Sequence, residues 1–435
     1  MSRSNRNARG EASRRKILEI TSELVGRYGY DSTTISRIVK ETGLPASSIY
    51  WMFKNKDELI TTALEGTYTA APAAETGGSP RWHGFQSDQP LVDQLLSELI
   101  PALRTTPSEA PLRVGIMLAL EGAASDSQVQ IPFRRRREAA QARIEKWWQQ
   151  ALREQAPSAH PDKAARLALL TMAFLDGHYV SDLETDDRVV EKRALLLSNI
   201  LWGSFWHDTS TCLHCNNPGI PPEPGKVPLE TEPGERDSTS EALLKSTRYL
   251  MAQRGYEGAT VARICAHSGV KRSSLYWRYK DKDALVKAAV ADPYLKLLRS
   301  HEWLRGESSA WIEILATELD SFTYRIRENP DLVKAGLLLA LQHWDSPESA
   351  GAAVTQGVHQ IEKEIALFLD QQQGVEAGRG EYLAWMFMRL QEGMMLDFVL
   401  WNQGLSLNNS TCLHSTLSFV LPQWEEQLRG IASAC

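Results

Sequence analysis

The stretch from Gly29, GYDSTTISRIVKETGLPASSIYWMFKNKDELI, aligns without a gap onto the stretch from Gly255, GYEGATVARICAHSGVKRSSLYWRYKDKDALV, and 14 of the 32 positions are identical. Most mismatches keep their character, as with Ile35 against Val261 and Phe53 against Tyr279. A repeat of this quality means duplication. It constrains the fold more than any other feature, because whatever structure one copy adopts the other adopts too. The copying runs on in the same order. GIMLALEGAASDS from Gly115 resembles GLLLALQHWDSPES from Gly336, IEKWWQQALREQ from Ile144 resembles IEKEIALFLDQQ from Ile361, and MAFLDGHY resembles GMMLDFVL around Asp176 and Asp397. The chain reads as two homologous halves, each a short module followed by a larger body.

The bodies read as helical. PLVDQLLSELIPAL, AARLALLTMAFLDGHYV and SAWIEILATELDSFTYRI carry apolar residues at three- and four-residue spacing, and long alternating runs of β-branched residues are missing. The expected fold is all-α, with a bundle in each half. VEKRALLLSNILWGSFW, at 190–206, is broadly apolar and ends in Trp202, Phe205 and Trp206, which suits either a core or a pairing interface. Residues 216–237 contain six prolines in 22 positions and no aromatic residue, so they read as an extended linker with a reach of roughly 70 Å. A second break, at 71–90, reads as an irregular loop. The expected organisation is a first module at 1–70, a first body at 89–210, a linker at 211–237, a second module at 238–292 and a second body at 293–430.

Charge separates modules from bodies. The chain carries -6 overall, yet residues 1–60 hold +4 and residues 241–287 hold +6, which leaves -16 on the remainder. Two basic segments on an acidic body could meet a phosphate backbone at two places without coating polyanions indiscriminately. No apolar run is long enough to span a membrane and no apolar segment follows the basic N-terminus. Five cysteines, an odd and small number, suit a reducing compartment, so a cytoplasmic location is expected.

Each module reads as four helices. The first runs from about Ser13 to Arg27, burying Ile17, Leu18, Leu24 and Val25, and Gly29 ends it. Thr34 and Thr260 stand where they can cap the short helices ISRIV and VARIC, whose Ile38 and Ile264 point inward. Gly43 and Gly269 turn the chain into ASSIYWMF and RSSLYWRY, and Asn55 and Asp281 are placed to cap the fourth helix. A helix, a tight turn containing glycine and a second short helix form a helix-turn-helix. In the second helix Ile49 and Leu275 face inward. Ser47, Ser48, Tyr50 and Trp51, with Ser273, Ser274, Tyr276 and Trp277, put hydroxyls and rings on the opposite face, where they can meet phosphates, base edges or thymine methyls. Lys54 and Lys280 follow, beside the groove.

Through T-[IV]-x-R-I, the turn glycine, S-S-[IL]-Y-W-x-[FY]-K and K-D-x-L, both modules resemble the DNA-binding domain of the tetracycline-repressor (TetR) family of bacterial transcription regulators. The resemblance covers some 50 residues of each half. It implies an all-helical regulator whose N-terminal helices contact double-stranded operator DNA and whose C-terminal bundle binds a small effector and dimerises. It places DNA contacts on Ser47, Ser48, Tyr50, Trp51 and Lys54, and on Arg272, Ser273, Ser274, Tyr276, Trp277 and Lys280; the hydroxyls of Thr34 and Thr260, which can also meet a phosphate, and the Lys271 cation at the groove edge join them as candidates. Members are usually one module long and work as dimers, so this chain is expected to be an intramolecular pseudo-dimer that reads two half-sites roughly 34–36 Å apart, or a multiple of that. Leu44-Pro45-Ala46 opens the first recognition helix and Val270-Lys271-Arg272 the second, so the operator is expected to be an imperfect palindrome, held more strongly at the second half-site. Arg3, Arg6, Arg9, Arg14, Arg15 and Lys16 could form a phosphate-tracking arm or a solubilising tail.

An effector-released repressor is the reading that follows from the family. Thirteen tryptophans suit an apolar or aromatic effector. Candidate pocket residues are Met117, Trp147, Phe174, His178 and Trp202 in the first half and Leu338, His343, Trp344, Trp385, Met388 and Trp401 in the second, although residues of this kind are more often simply core. The run Arg134 to Arg137 reads first as a solvated helix start, and behind that as an anion-binding effector site or a contact for an acidic partner. Cys212 and Cys215 with His214 form half a zinc site or a redox pair, Cys412 and His414 lie far along the chain, and Cys265 reads as core. Neither a metal nor a cofactor is expected. No catalytic motif appears, so an enzyme on this scaffold is not expected, whereas a regulator acting through protein or ligand contacts without operator binding stays open.

Overall fold

The computed structural model describes residues 3–70, 82–104, 111–121, 128–181, 186–206, 238–299, 311–342, 344, 346–372 and 375–401, and these are helices joined by short connections, with no strand among them. The linker at 211–237, the cysteines Cys212, Cys215, Cys412 and Cys435, the histidines His214 and His414, and His343 lie outside the described residues.

The first half contains α1 (Arg3–Ser32), α2 (Ile35–Thr42), α3 (Ala46–Met52), α4 (Lys56–Ala70), α5 (Leu91–Leu103), α6 (Pro111–Leu120), α7 (Ile131–Gln155), α8 (Lys163–Ser181) and α9 (Asp187–Trp206). The second half repeats the opening as α10 (Ser238–Gly258), α11 (Val261–Ser268), α12 (Arg272–Arg278) and α13 (Lys282–Val286), the last running through a π-helical turn into α14 (Asp292–Arg299). Its body continues with α15 (Trp311–Glu328), α16 (Pro330–Leu341), α17 (Ala350–Asp370) and α18 (Gly380–Leu396).

Helix α1 starts at Arg3 and not near Ser13. Ala8, Glu11, Ala12, Arg14 and Arg15 favour helix, so the basic N-terminal segment continues the helix backbone instead of forming a separate arm. Gly29 ends the regular part of α1 with φ 75°, and Gly255 does the same in α10 with φ 64°, the left-handed region that only glycine enters cheaply. In the stretch expected to be an irregular loop, Trp82 and Phe85 are buried, and the Glu98 carboxylate accepts the Trp82 and His83 backbone N–H groups at 2.6 and 2.7 Å. The end of that stretch is therefore anchored to α5.

The two bodies meet where α8 crosses α18. A Cβ on Gly177 would stand 1.9 Å from the Arg389 carbonyl oxygen, and a Cβ on Gly393 would stand 1.9 Å from the Ala173 carbonyl oxygen. Each glycine thus lets its helix lie directly on the backbone of the other, in exchanged roles. Because Gly177 and Gly393 exchange roles, the crossing makes Glu392 the counterpart of Asp176, whereas alignment of the two sequences pairs Asp176 with Asp397. The alignment slips because the apolar residues around both acids are interchangeable in a helix pattern.

Arg113 of α6 ties further ends together. Its Nε donates to the Leu341 carbonyl at 2.8 Å and Nη2 to that of Ala340 at 2.6 Å, at the C-terminus of α16. Nη1 donates to Val180 at 2.5 Å and Tyr179 at 3.2 Å, at the end of α8. One guanidinium satisfies the orphan carbonyls of two helix ends from different halves, where the helix dipoles also favour a cation. Burial lowers its pKa to about 10 while the Glu392 carboxylate pulls the other way.

Packing differs between the two modules. Ile17, Leu24, Ile38, Ile49, Phe53 and Leu59 close a small core of the first module's own. In the second, Leu243, Leu250, Ile264, Leu275 and Leu285 are continuous with the core of the bodies.

Candidate nucleic-acid interface

The geometry of each helix-turn-helix follows from its polar punctuation. The Thr34 hydroxyl accepts the Arg37 backbone N–H at 3.2 Å and the Thr260 hydroxyl accepts that of Arg263 at 3.3 Å, so each caps the short helix behind it. Gly43 and Gly269 turn the chain with φ 69° and 71°. Asn55 Oδ1 accepts the Glu58 N–H and Asp281 Oδ1 the Ala284 N–H, both at 2.8 Å, which starts the fourth helix in each copy. Lys56 Nζ donates to the Tyr30 carbonyl at 2.9 Å and lies 3.7 Å from that tyrosine's ring centroid. Lys282 repeats this on Tyr256, at 2.5 and 3.7 Å. Burial lowers the pKa of both lysines.

With Ile49 and Leu275 buried, the opposite face of α3 and α12 is turned outward. Trp51 is 83% exposed and Trp277 82%, with Tyr50 at 57% and Tyr276 at 43%. Ser47, Ser273, Lys54, Lys271, Arg272 and Lys280 are exposed, Ser48 and Ser274 half-buried. An exposed tryptophan at the same place in both copies is costly to hydrate and adds nothing to either core, which is what a surface built to receive a partner looks like.

The two faces are built differently. In the second, Arg272 Nη2 donates to the Tyr276 hydroxyl at 3.4 Å and stacks 5.5 Å from its ring, while Arg278 lies 5.2 Å from the Trp277 ring and donates to Ser240 Oγ and the Ser274 carbonyl, both at 3.2 Å. Ala46 and Met52 occupy the equivalent positions of the first face and cannot brace Tyr50 or Trp51 in this way.

Sequence reasoning missed the joint between the modules. Asp31 Oδ2 accepts from Arg254 Nη1 at 3.1 Å and from Arg263 Nη1 at 2.8 Å, so α1 and α10 are linked directly. Behind them Glu121, at the end of α6, is fully buried. Its Oε2 accepts the Tyr30 N–H at 2.8 Å, and Oε1 has no hydrogen-bond partner among the described residues. A Cβ on Gly29 would stand 2.0 Å from Oε1 and one on Gly255 3.0 Å from it, so one carboxylate sits between the two turn glycines. Burial and nearby Asp31 push its pKa up to about 7, against the pull of the Tyr30 and Asp31 N–H groups and of Lys56. The counterpart Gln342 is also buried, with both amide atoms unpartnered among the described residues.

In the bodies, Met117, Trp147, Phe174, His178, Leu338, Trp385 and Met388 are buried, and Trp202 and Trp344 are half-buried against the core. Trp147 packs edge-on against Trp82 at 5.3 Å, Phe85 at 5.4 Å and Trp148 at 4.9 Å. Trp344 donates to the Leu339 carbonyl at 2.8 Å and meets Tyr256 edge-on at 4.9 Å, at the joint with the second module. The side chain of Trp401 lies outside the described residues. A cavity of about 30 Å³ opens between α6, α7 and α8, walled by Phe133, Arg137, Met172, Leu175, Asp176 and Tyr179, and the candidate pocket residues do not line it. Arg137 is buried in that wall, its Nη2 2.6 Å and Nε 3.0 Å from Asp176 Oδ2. The arginine run is therefore a solvated helix start only in part. Arg134 and Arg135 are exposed, whereas the helical turn carries Arg137 inward to a carboxylate whose pKa burial raises against the opposing pull of that guanidinium.

Comparison with known proteins gives the interface its context. The family model described as bacterial regulatory proteins, tetR family, matches residues 17–63 and again 243–289. An uncharacterized HTH-type transcriptional regulator of Bacillus subtilis, YxaF, is 46% identical over 63 residues, which is 14% of this chain and 31% of that protein. The tetracycline repressor protein class C of Escherichia coli is 32% identical over 82 residues, 19% of this chain and 36% of that protein. The chain spans about a third of the length of these curated relatives. Both matched segments coincide with the helix-turn-helix modules built above, so this chain carries the N-terminal domain of the tetR family twice.

Proposed function

We propose that this chain is a cytoplasmic transcriptional regulator that reads double-stranded operator DNA with both of its modules, acting as an effector-released repressor. The observation that carries the reading is the pair of outward faces on α3 and α12. Each presents Ser-Ser, Tyr and a Trp more than four-fifths exposed, flanked by lysine, at the same positions of two copies of one fold. A dimeric reader needs two such faces, and a single chain here supplies both. The exchanged glycine contacts of α8 and α18 support the pairing of the two halves as an intramolecular pseudo-dimer, since residues that swap roles across a contact are the mark of a two-fold interface.

The effector belongs to the bodies. A cavity of about 30 Å³ has room for a water, far from the roughly 300 Å³ that a drug-sized ligand fills. An apolar or aromatic effector entering there would have to open the packing between α6, α7 and α8, and because α6 leads into Glu121 that movement would reach the joint between the modules. Release follows if the effector binds the opened form better than the form that fits DNA.

Selection of bound sequences from random duplex DNA, with the intact chain at physiological salt, tests the reading. The expected product is a single motif with two related but unequal arms, the arm under α12 being the more salt-sensitive because Lys271 and Arg272 add cations there. Recovery of nothing above a salt-sensitive background overturns operator binding.

A further inference from the structure

The contact between α1 and α10 has no counterpart on its other side. Position by position, Tyr28 of the first module stands where the second has Arg254, Arg37 where it has Arg263, and Asp31 where it has Glu257. In the first module Arg37 is engaged within its own fold, 4.0 Å from the Tyr28 ring and donating to the Ser32 carbonyl at 3.2 Å. In the second, the ring that would hold Arg263 is replaced by Arg254, and both arginines reach across to Asp31. Arg263 also donates to the Gly258 carbonyl at 2.8 Å. Gly258 is part of the fit, since a Cβ there would stand 3.0 Å from Asp31 Oδ2 and 2.6 Å from the Arg254 Cβ.

We propose that Asp31 is the positioning residue that sets the separation of the two modules: one carboxylate of the first, gripped by Arg254 and Arg263 of the second, holds α3 and α12 at a single spacing, so that the chain selects duplexes by the distance between half-sites as well as by their sequence. The second clause rests on the operator reading above. Arg254 and Arg263 are 40% and 47% exposed, so the contact adds little to global stability. A positioning role needs no more than that. The bodies already hold the modules near one another, and a modest directional bias is enough to narrow the range of spacings.

Spin labels placed on the exposed, equivalent positions Lys40 and Ala266 through a bio-orthogonal side chain report the separation in the full chain without DNA. Asp31→Asn is expected to broaden the distance distribution relative to the otherwise native chain, and Gly258→Ala, which wedges the same contact from the other side, to do likewise. An unchanged distribution in both variants, with helix content retained by circular dichroism, overturns the proposal. On duplexes recovered by selection and altered by one or two base pairs between the arms, Asp31→Asn and Arg263→Gln are each expected to reduce discrimination against the altered spacers roughly fivefold, with no further loss in the double variant because both act through one contact. An equal loss of affinity on every spacer marks a structural role only and also overturns it. Failure of the native chain to bind any duplex sinks the operator reading, and the label distances then decide the positioning role alone.

Discussion

Glu121 is the residue on which the two modules and the first body converge, and its chemistry gives a directional prediction. Its folded pKa is about 7, above the ordinary 4.5, with burial the main cause. The folded protein therefore holds this proton more tightly than the unfolded chain does. Stability falls as pH rises from about 4.5 to 7, and the whole penalty, about 3 kcal/mol, is present above 7. Glu121→Gln keeps an acceptor for the Tyr30 N–H and removes the charge. Urea unfolding at pH 5 and pH 8 is expected to show the variant gaining on the native protein at pH 8 and little difference at pH 5, and parallel shifts at both values would contradict this. Nothing in the residue pattern points to this role, because a glutamate closing the apolar run GIMLALEG reads as a helix end in solvent. The joint between the modules is visible in the sequence only as mismatches in the repeat, Tyr28 against Arg254 among them, and a mismatch carries no meaning until the two copies are placed side by side. Ile49, Leu275, Trp51 and Trp277, by contrast, are readable at once, since helical spacing fixes which side chains turn inward and which outward.

Among the elements, α8 and α18 carry the contact between the halves, and their closeness depends on two missing side chains. A methyl at Gly177 has no room against the Arg389 backbone, so Gly177→Ala is expected to cost about 1–3 kcal/mol, read from thermal or urea unfolding. Gly26→Ala provides the control, because the nearest atom to a Cβ there is a Val114 methyl at an ordinary 3.4 Å. Equal losses in the two variants would refute the close crossing. The helices themselves are legible from three- and four-residue periodicity, and the caps from Thr34, Thr260, Asn55 and Asp281. The crossing is not, because a glycine in an apolar helix has no periodic signal and the acids beside it align equally well in two registers. A second consequence of packing concerns the modules. The first closes a core of its own, while that of the second is continuous with the bodies. Amide hydrogen exchange is expected to be faster around Ile38 and Ile49 than around Ile264 and Leu275, since a small separate core opens at lower cost than one shared with a large one. Equal protection would show that the first module is held as firmly as the second.

At the scale of the whole molecule, duplication explains why the modules are so legible in the amino-acid sequence. A repeat of 14 identities in 32 positions defines two equivalent modules, and their helix-turn-helix pattern defines what those modules are. The bodies are less legible, because a helical bundle is specified by which apolar faces meet, and many sequences meet equally well. The large side chains expected to line a pocket are core in the main, while the cavity is walled by a buried ion pair that the arginine run conceals. Halves that began alike now differ: Glu121 stands against Gln342, a braced outward face against an unbraced one, and the Asp31 contact is made from one side alone. Such differences are useful only if one chain always pairs its own two halves. Native mass measurement of the complex with a selected two-armed duplex tests this most directly. One 48.7 kDa chain on each duplex, with both arms protected, is the predicted result; two chains on each duplex, or one chain protecting a single arm, would contradict it.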